Sequence, residues 1–219
     1  MSVSSVAAGR AGGPKAAGNG RCHMLLALDC HYRADGSGRV AGVAFCRWED
    51  PEPVDEYVLE IGAAAPYRPG LFYQRELPGL LALIESVKER PGVLMVDGYV
   101  WLGPQGNQVS AVMARDPESA AASPVSARPV SGQRRGMGAR LWEAQNREVP
   151  VVGVAKSRYP GAEAVRVFRR ASKRPLYITS AGLPLPQAAL AVVIMHGAGR
   201  IPRLIQRADR LARGHRPAS

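Results

Sequence analysis

This sequence predicts a mixed α/β sheet flanked by helices, and three observations lead there. Three short apolar runs, Met24–Asp29, Val93–Asp97 and Pro150–Ala155, are too brief for helices, rich in branched residues and bounded by turn formers. Such runs read as strands buried on both faces. Two further segments, Arg39–Trp48 and Glu56–Ile61, follow the first run closely enough to form an antiparallel meander with it. Helical patterns then alternate with the remaining strands, the order expected of α/β layers. At 219 residues the chain suits one domain with a full-sized core.

Taken in order, residues 1–22 are mostly Gly, Ala and Ser with a few cations. They carry too little apolar surface to offset the entropy of ordering, so a disordered tail is expected, not a signal peptide. Translation starting at Met24 would fit as well. Met24–Asp29 opens the sheet, and Ala34-Asp-Gly-Ser-Gly38 turns it into the second strand. Ala65-Pro-Tyr-Arg-Pro-Gly70 is a proline-clamped loop. A helix follows with Leu77, Leu80, Leu81, Ile84 and Val87 on one face. Pro78 fits a helix only in its first turn, which sets Glu76 at the N-terminus. Val93–Asp97 is a central strand that should lie beside the first.

From Gly103 to Arg135 the pattern is lost in Ala, Ser, Pro, Gly and Arg, which reads as a flexible insertion (103–135) in a domain running from 23 to 214. Gly136–Ala144 is a glycine turn into a helix. Pro150–Ala155 is a buried strand ending at Lys156. Ala164–Phe168 and Pro175–Thr179 form a strand pair with Arg169, Arg170, Lys173 and Arg174 at its turn. Pro186–Met195 and Ile201–Arg213 are helices, the second amphipathic through Leu204, Ile205, Ala208 and Leu211.

Composition narrows the function classes. Lys and Arg outnumber Asp and Glu by 29 to 18, a net charge of +11 that favours a polyanionic partner, nucleic acid before membrane. No window approaches the roughly 18 apolar residues of a membrane-spanning helix. Cys22, Cys30 and Cys46 form no C-x-x-C pair, so neither a disulfide framework nor a zinc signature is expected, and a reducing cytoplasm fits.

Against that cationic background, three carboxylates fall where chemistry is done. Asp29 and Asp97 end apolar strands, at the sheet edge where α/β proteins bind ligands, and Glu76 starts a helix. Two strand-end aspartates brought together repel each other unless a cation lies between them. With no Cys/His set nearby, Mg²⁺ or Mn²⁺ is the expected ion, since hard cations prefer oxygen ligands. Lys156 at a third strand end could neutralise charge developing on a phosphate. Each has a structural alternative: a strand-end aspartate often caps a turn, and Glu76 could simply favour a helix dipole.

The motifs Leu26-Ala-Leu-Asp29, Pro66-Tyr-Arg-Pro-Gly70, Tyr73-Gln-Arg-Glu76, Val96-Asp-Gly98, Gly153-Val-Ala-Lys156 and Arg174-Pro-Leu-Tyr177 occur in the order and at roughly the spacing of the endonuclease V family. Arg200-Ile-Pro202 with Ala208-Asp209 resembles that family's C-terminal helix signature. The resemblance runs from about residue 24 to 213, leaving out the insertion. It implies a ribonuclease H-like α/β fold, a mixed sheet flanked by helices, and Mg²⁺-dependent cleavage of deaminated nucleic acid near hypoxanthine.

By position it makes Asp29, Asp97 and Glu76 the metal and catalytic carboxylates and turns Lys156 toward the scissile phosphate. It also makes Pro66, Tyr67, Arg68 and Pro69 a wedge that opens the strand beside the lesion. Gly70, Arg75, Gly98 and Gly138 would join them in contacting nucleic acid. A stiff loop with an aromatic can replace lost base stacking at low entropic cost. Two positions depart from the family pattern. The histidine or aspartate at the turn before the penultimate helix falls at Gly182, and the histidine after the strand-end aspartate falls within Leu102-Gly103-Pro104. His196 offers an alternative imidazole; His23, His31 and His215 belong to no constellation.

Three functions are therefore open. The first is a metal-dependent endonuclease of deaminated-base repair, a monomer acting on DNA. The second is a nucleic-acid-binding protein of the same fold with weak or lost cleavage. The third is a ribonuclease for inosine-containing RNA, because 2′-hydroxyl contacts depend on geometry and leave no trace in sequence.

Overall fold

The computed structural model describes residues 22–62, 72–103, 112–113 and 134–215. Strand β1 (Leu25–Tyr32) lies inside the sheet, antiparallel to β2 (Gly38–Phe45) on one side and parallel to β4 (Val93–Asp97) on the other. Beyond β2 comes β3 (Asp55–Ile61), antiparallel, which completes the expected meander. Beyond β4 come β6 (Val151–Ala155), parallel to it, then β8 (Leu176–Ala181), β7 (Val165–Val167) and the short β5 (Val112–Met113). The eight strands run β3-β2-β1-β4-β6-β8-β7-β5.

Helices cover both faces. Leu26, Leu28, Leu94, Val96 and Val151 pack with α1 (Phe72–Ser86) and α2 (Met137–Ala144). The alternate residues Leu25, Ala27, Met95, Val152 and Val154 pack with α3 (Leu185–Ile194) and α4 (Arg203–Ala212). Side chains alternate along a strand, so the central strands bury both faces, which is why their sequence is continuously apolar.

Four expectations need correction. Helix α1 begins at Phe72, so Pro78 lies in its interior and Glu76 lies beyond the first turn. The lost bond would have used the carbonyl of Gln74, and both Gln74 and Pro78 are exposed, so water can take its place. Cys22 and Cys46 form a disulfide, joining the residues before β1 to the chain just after β2, while Cys30 is free. With two of three cysteines bonded, cysteine usage no longer points to a reducing compartment. Cys22, expected in a tail of residues 1–22, is thus tied to the sheet, and residues 1–21 lie outside the described ones.

The supposed insertion also contributes structure. Val112–Met113 adds β5 to the sheet edge, parallel to β7. At its far end Leu102 N–H donates to the carbonyl of Arg134 at 2.8 Å, and Gly136 N–H to that of Val100 at 2.9 Å. Residues 104–111 and 114–133 lie outside the described ones. Lastly, Arg169 is no solvated turn cation. It is 1% exposed, with its guanidinium donating to the carbonyls of Met195, Gly199 and Arg200, which ties β7 to the segment between α3 and α4. Among the described residues no helix is long and apolar enough to cross a membrane.

Candidate active site

Parallel pairing of β1, β4 and β6 aligns them toward one end of the sheet, where β4 ends at Asp97 and β6 just before Lys156. Strand β1, expected to end at Asp29, instead continues along β2 to Tyr32, so Asp29 lies inside it, just past the last residue paired with β4. The register pairs Leu28 with Val96 and Asp97 with Val154. Asp29 therefore lies beside Asp97, and Lys156 follows the last residue of β6. Alternation past Ala27 and Met95 sets both aspartates on the face that α4 covers. From that helix Asp209 joins them, and from the opposite face α1 brings Glu76 over the edge. Asp29, Glu76, Asp97 and Asp209 line a single pocket of about 280 Å³ with Cys30, Met137 and Arg213 around them.

The electrostatics of this pocket are those of carboxylates crowded together, with cations pairing, among the described residues, only Asp97 and Asp209. Burial, then the negative charge of Asp97, pushes the Asp29 carboxyl up to about 7. Burial, then Asp29 and Asp97, pushes Glu76 up to about 8. The Cys30 thiol is held well above its ordinary range by burial and by the Glu76 charge. Desolvation and like-charge repulsion act together here, and both are relieved by a cation. Lys156 supplies one from the rim: its Nζ donates to Asp97 Oδ2 at 2.5 Å. Burial lowers the Lys156 pKa, but the hydrogen bond and charge of Asp97 outweigh it and leave it raised. Since this pair is 39% and 29% exposed, its worth to the fold is small, about 0–1 kcal/mol.

Glu76 is not explained by a helix dipole, because it lies outside the first turn of α1. Asp29 does make a local contact, its Oδ1 accepting from Cys30 N–H at 2.7 Å, but that leaves its second oxygen to the pocket. As they stand, no three of the described Asp, Glu, His or Cys side chains are gathered tightly enough to hold an ion. The reason is visible in their partners: Asp97 turns to Lys156, Asp29 to the backbone and Asp209 to Arg213 Nε at 3.0 Å. The donor set itself, four carboxylates on one pocket, suits a hard divalent cation.

Asp209 is the member that sequence reading passed over. Its signal was the Ala208-Asp209 pair of the helix signature. In a helix rich in arginine a lone aspartate reads as an i,i+4 partner, and its bond to Arg213 shows that it is one as well. Gly182, by contrast, has no part in the site. The register pairs Ala181 with Val151, so Gly182 lies at the start of β6, the sheet edge opposite Asp97. There it adopts a φ of +73° with Trp142 and Pro150 against it. A side chain at 182 would not reach the pocket, so its absence costs the site nothing.

The remaining residues divide. Gly98 has a φ of +138° and open space where a Cβ would stand, so the chain leaving Asp97 is accessible from outside. Gly138 is instead a packing glycine: it is buried, and a Cβ there would meet Val100 Cγ2 at 2.7 Å. Arg75 is half-buried, its guanidinium carbon 4.0 Å from the centre of the Tyr32 ring and its carbonyl accepting from the Tyr32 hydroxyl. Pro66, Tyr67, Arg68, Pro69 and Gly70 lie outside the described residues. His196 does not line the pocket.

Fold and edge together define a ribonuclease H-like α/β protein with an acidic pocket at the ends of its central strands. The solved endonuclease V of Streptomyces avermitilis has this fold, with a TM-score of 0.62 at 22% identity over 87% of this chain and 80% of that one. So does a Ciona intestinalis endonuclease V, solved with DNA containing an inosine followed by a ribo-adenosine (TM-score 0.62, 15% identity, 89% and 85% covered). In sequence, the Endonuclease V family model matches residues 14–107. The Nostoc punctiforme endonuclease V is 25% identical over 190 residues, 86% of this chain and 81% of that protein. Over these spans the chain is similar in sequence to endonuclease V proteins, and it shares the fold of their solved structures.

Proposed function

We propose that this protein is a divalent-metal-dependent endonuclease that hydrolyses a phosphodiester near hypoxanthine in nucleic acid, as in repair of deaminated DNA. The observation that carries this reading is the convergence of Asp29, Glu76, Asp97 and Asp209, from four separate elements, on one pocket of a protein with net charge +11. The fold does not require such a repulsive group; an anionic substrate with a counter-cation does. Asp29, Asp97 and Glu76, with Asp209 as a fourth carboxylate, would hold Mg²⁺ or Mn²⁺. The bound ion would polarise the phosphate and make attacking water more acidic. Lys156, fixed beside Asp97, sets an ammonium where negative charge grows on the phosphate oxygens. Pro66, Tyr67, Arg68 and Pro69 would open the strand, with Gly70, Arg75 and Gly98 beside the track.

The test is a nicking assay on hypoxanthine-containing DNA and RNA, with Mg²⁺ and with EDTA. Nicking that requires both the lesion and the metal is expected. Binding without nicking under every metal would instead mark a binding protein. A ribonuclease is the second reading, favoured by the ribonucleotide after the inosine in the Ciona protein's DNA. Cleavage of inosine RNA well above inosine DNA would select it.

A further inference from the structure

Strand β1 runs on past Asp29, and this overhang, residues 30–32, pairs with β2 on one side but has left β4 on the other. Alternation turns Asp29 toward α4 and Tyr32 toward α1, the face that Leu26 and Leu28 share. The Tyr32 ring lies against Gly38, its partner on β2, where a Cβ would meet the ring at 2.6 Å. From that seat the Tyr32 hydroxyl donates to the carbonyl of Arg75 at 2.5 Å. The Arg75 guanidinium carbon stands 4.0 Å from the ring centre. Arg75 immediately precedes Glu76.

Helix α1 is held differently on the two sides of Pro78. Beyond it, Leu80 and Leu83 lie in the core. Gly79 packs so closely there that a Cβ would meet Ile61 Cδ1 at 2.5 Å and Val40 Cγ2 at 2.8 Å. Before it, none of Tyr73 to Leu77 is buried, though Leu77 packs partly against the core. Pro78 has no N–H to give to the carbonyl of Gln74, and its ring crowds that carbonyl, so the anchored half of α1 fixes the other half poorly. Side chains must hold the turn that carries Glu76. Tyr73, its ring centre 3.3 Å from the Arg140 guanidinium carbon, ties that turn to α2. Tyr32 ties it to β1, the strand that carries Asp29. One hydrogen bond thus references two carboxylates of the pocket to the same strand.

We propose that Tyr32 is a positioning residue for Glu76, holding the proline-interrupted turn of α1 so that this carboxylate faces Asp29 and Asp97 across the pocket. The inference rests on the metal-site reading above and names what sets the geometry of that site. Tyr32 does not line the pocket and acts through the backbone of α1.

The test is calorimetric titration of the full chain with Mn²⁺. Tyr32→Phe keeps the ring and removes only the hydroxyl. It should raise the Mn²⁺ dissociation constant about twofold to tenfold, the range of one hydrogen bond. In a Glu76→Gln background the same change should move the constant by less than about twofold, because the carboxylate it positions is gone. Pro78→Ala, at an exposed position, restores the helical N–H. Alone it should leave the affinity within about twofold, and combined with Tyr32→Phe it should recover the wild-type value. A tyrosine that merely stabilised the fold would lower the melting temperature and show neither dependence. The proline rescue decides where Glu76→Gln binds too weakly to read. Gly38→Ala pushes the ring off its seat and should reproduce the loss, which decides should Tyr32→Phe fail to fold. Unchanged Mn²⁺ affinity in Tyr32→Phe, or a loss that Pro78→Ala does not recover, would overturn the positioning role and leave the metal site standing. A wild type that binds no Mn²⁺ would overturn both.

Discussion

Arg169 and the Asp29–Glu76 pair are both charges taken out of water, and they could hardly be treated more differently. Arg169 is almost fully buried, yet three backbone carbonyls from the α3–α4 connection receive its guanidinium. Burial pulls its pKa down only to about 10, so it stays charged. Asp29 and Glu76 are less buried but face Asp97 and each other, and both are pushed up toward neutrality. A buried charge with its partners built in belongs to the fold. One built against its own kind is stable only when something from outside completes it, and that marks it as functional.

That contrast can be broken by mutating each side. Asp97→Asn should cut cleavage by about a hundredfold or more, an effect of the size seen when one electrostatic stabiliser leaves a catalytic site. Its melting temperature should hold or rise, because one repelling charge is gone. Arg169→Met should do the opposite. It strands buried carbonyls and should cost about 3 kcal/mol of stability, while the folded fraction cleaves at the normal rate. If Asp97→Asn unfolds the protein, or Arg169→Met abolishes cleavage in folded material, the distinction fails.

Acid dependence sharpens the comparison at smaller amplitude. Asp29 and Glu76 have folded-state pKa values raised to about 7 and about 8, so the folded protein keeps protons that the unfolded chain gives up. Stability is therefore full below the ordinary carboxylate range and is lost as pH rises through it toward 8. Without divalent metal the melting temperature should fall by a few degrees between pH 5 and pH 8. Glu76→Gln should flatten the upper part of that fall, and a slope unchanged by the substitution would show that other groups cause it. Smallest of all should be Lys156→Met in stability, within about 1 kcal/mol for so exposed a pair, although its cleavage should drop. Thermal melts and single-turnover rates on one preparation check both.

Much of this was legible because short-range rules applied. Val93–Asp97 is bounded by Pro91-Gly92 and Gly98 and could hardly be anything but a buried strand, and its ends are those read from sequence. Asp97 and Lys156 followed from one rule about strand ends; Asp29 was found by the same rule although β1 runs on to Tyr32, because its pairing with β4 stops just before it. The misses depended on distant partners. Pro78 seemed to fix the start of α1, but the exposure that lets water satisfy Gln74 is a tertiary property. Cys22 and Cys46 are 24 residues apart with no motif, and only the β1–β2 hairpin brings them together. Arg169 looked like any cation at a turn until the α3–α4 connection closed over it. Asp209 was hidden because its pairing with Arg213 is real and is not all it does.

The most direct test of the central claim, that the four carboxylates form a metal site poised for phosphodiester cleavage, is calorimetric titration with Mn²⁺ at pH 7 in two buffers of different ionisation heat. A cation that enters this pocket must displace the protons held by Asp29 and Glu76, so binding should release roughly one proton or more per ion. Asp29→Asn should lose both the binding and the release. Absence of Mn²⁺ binding in the wild type, or binding that releases no proton and survives Asp29→Asn, would contradict the claim.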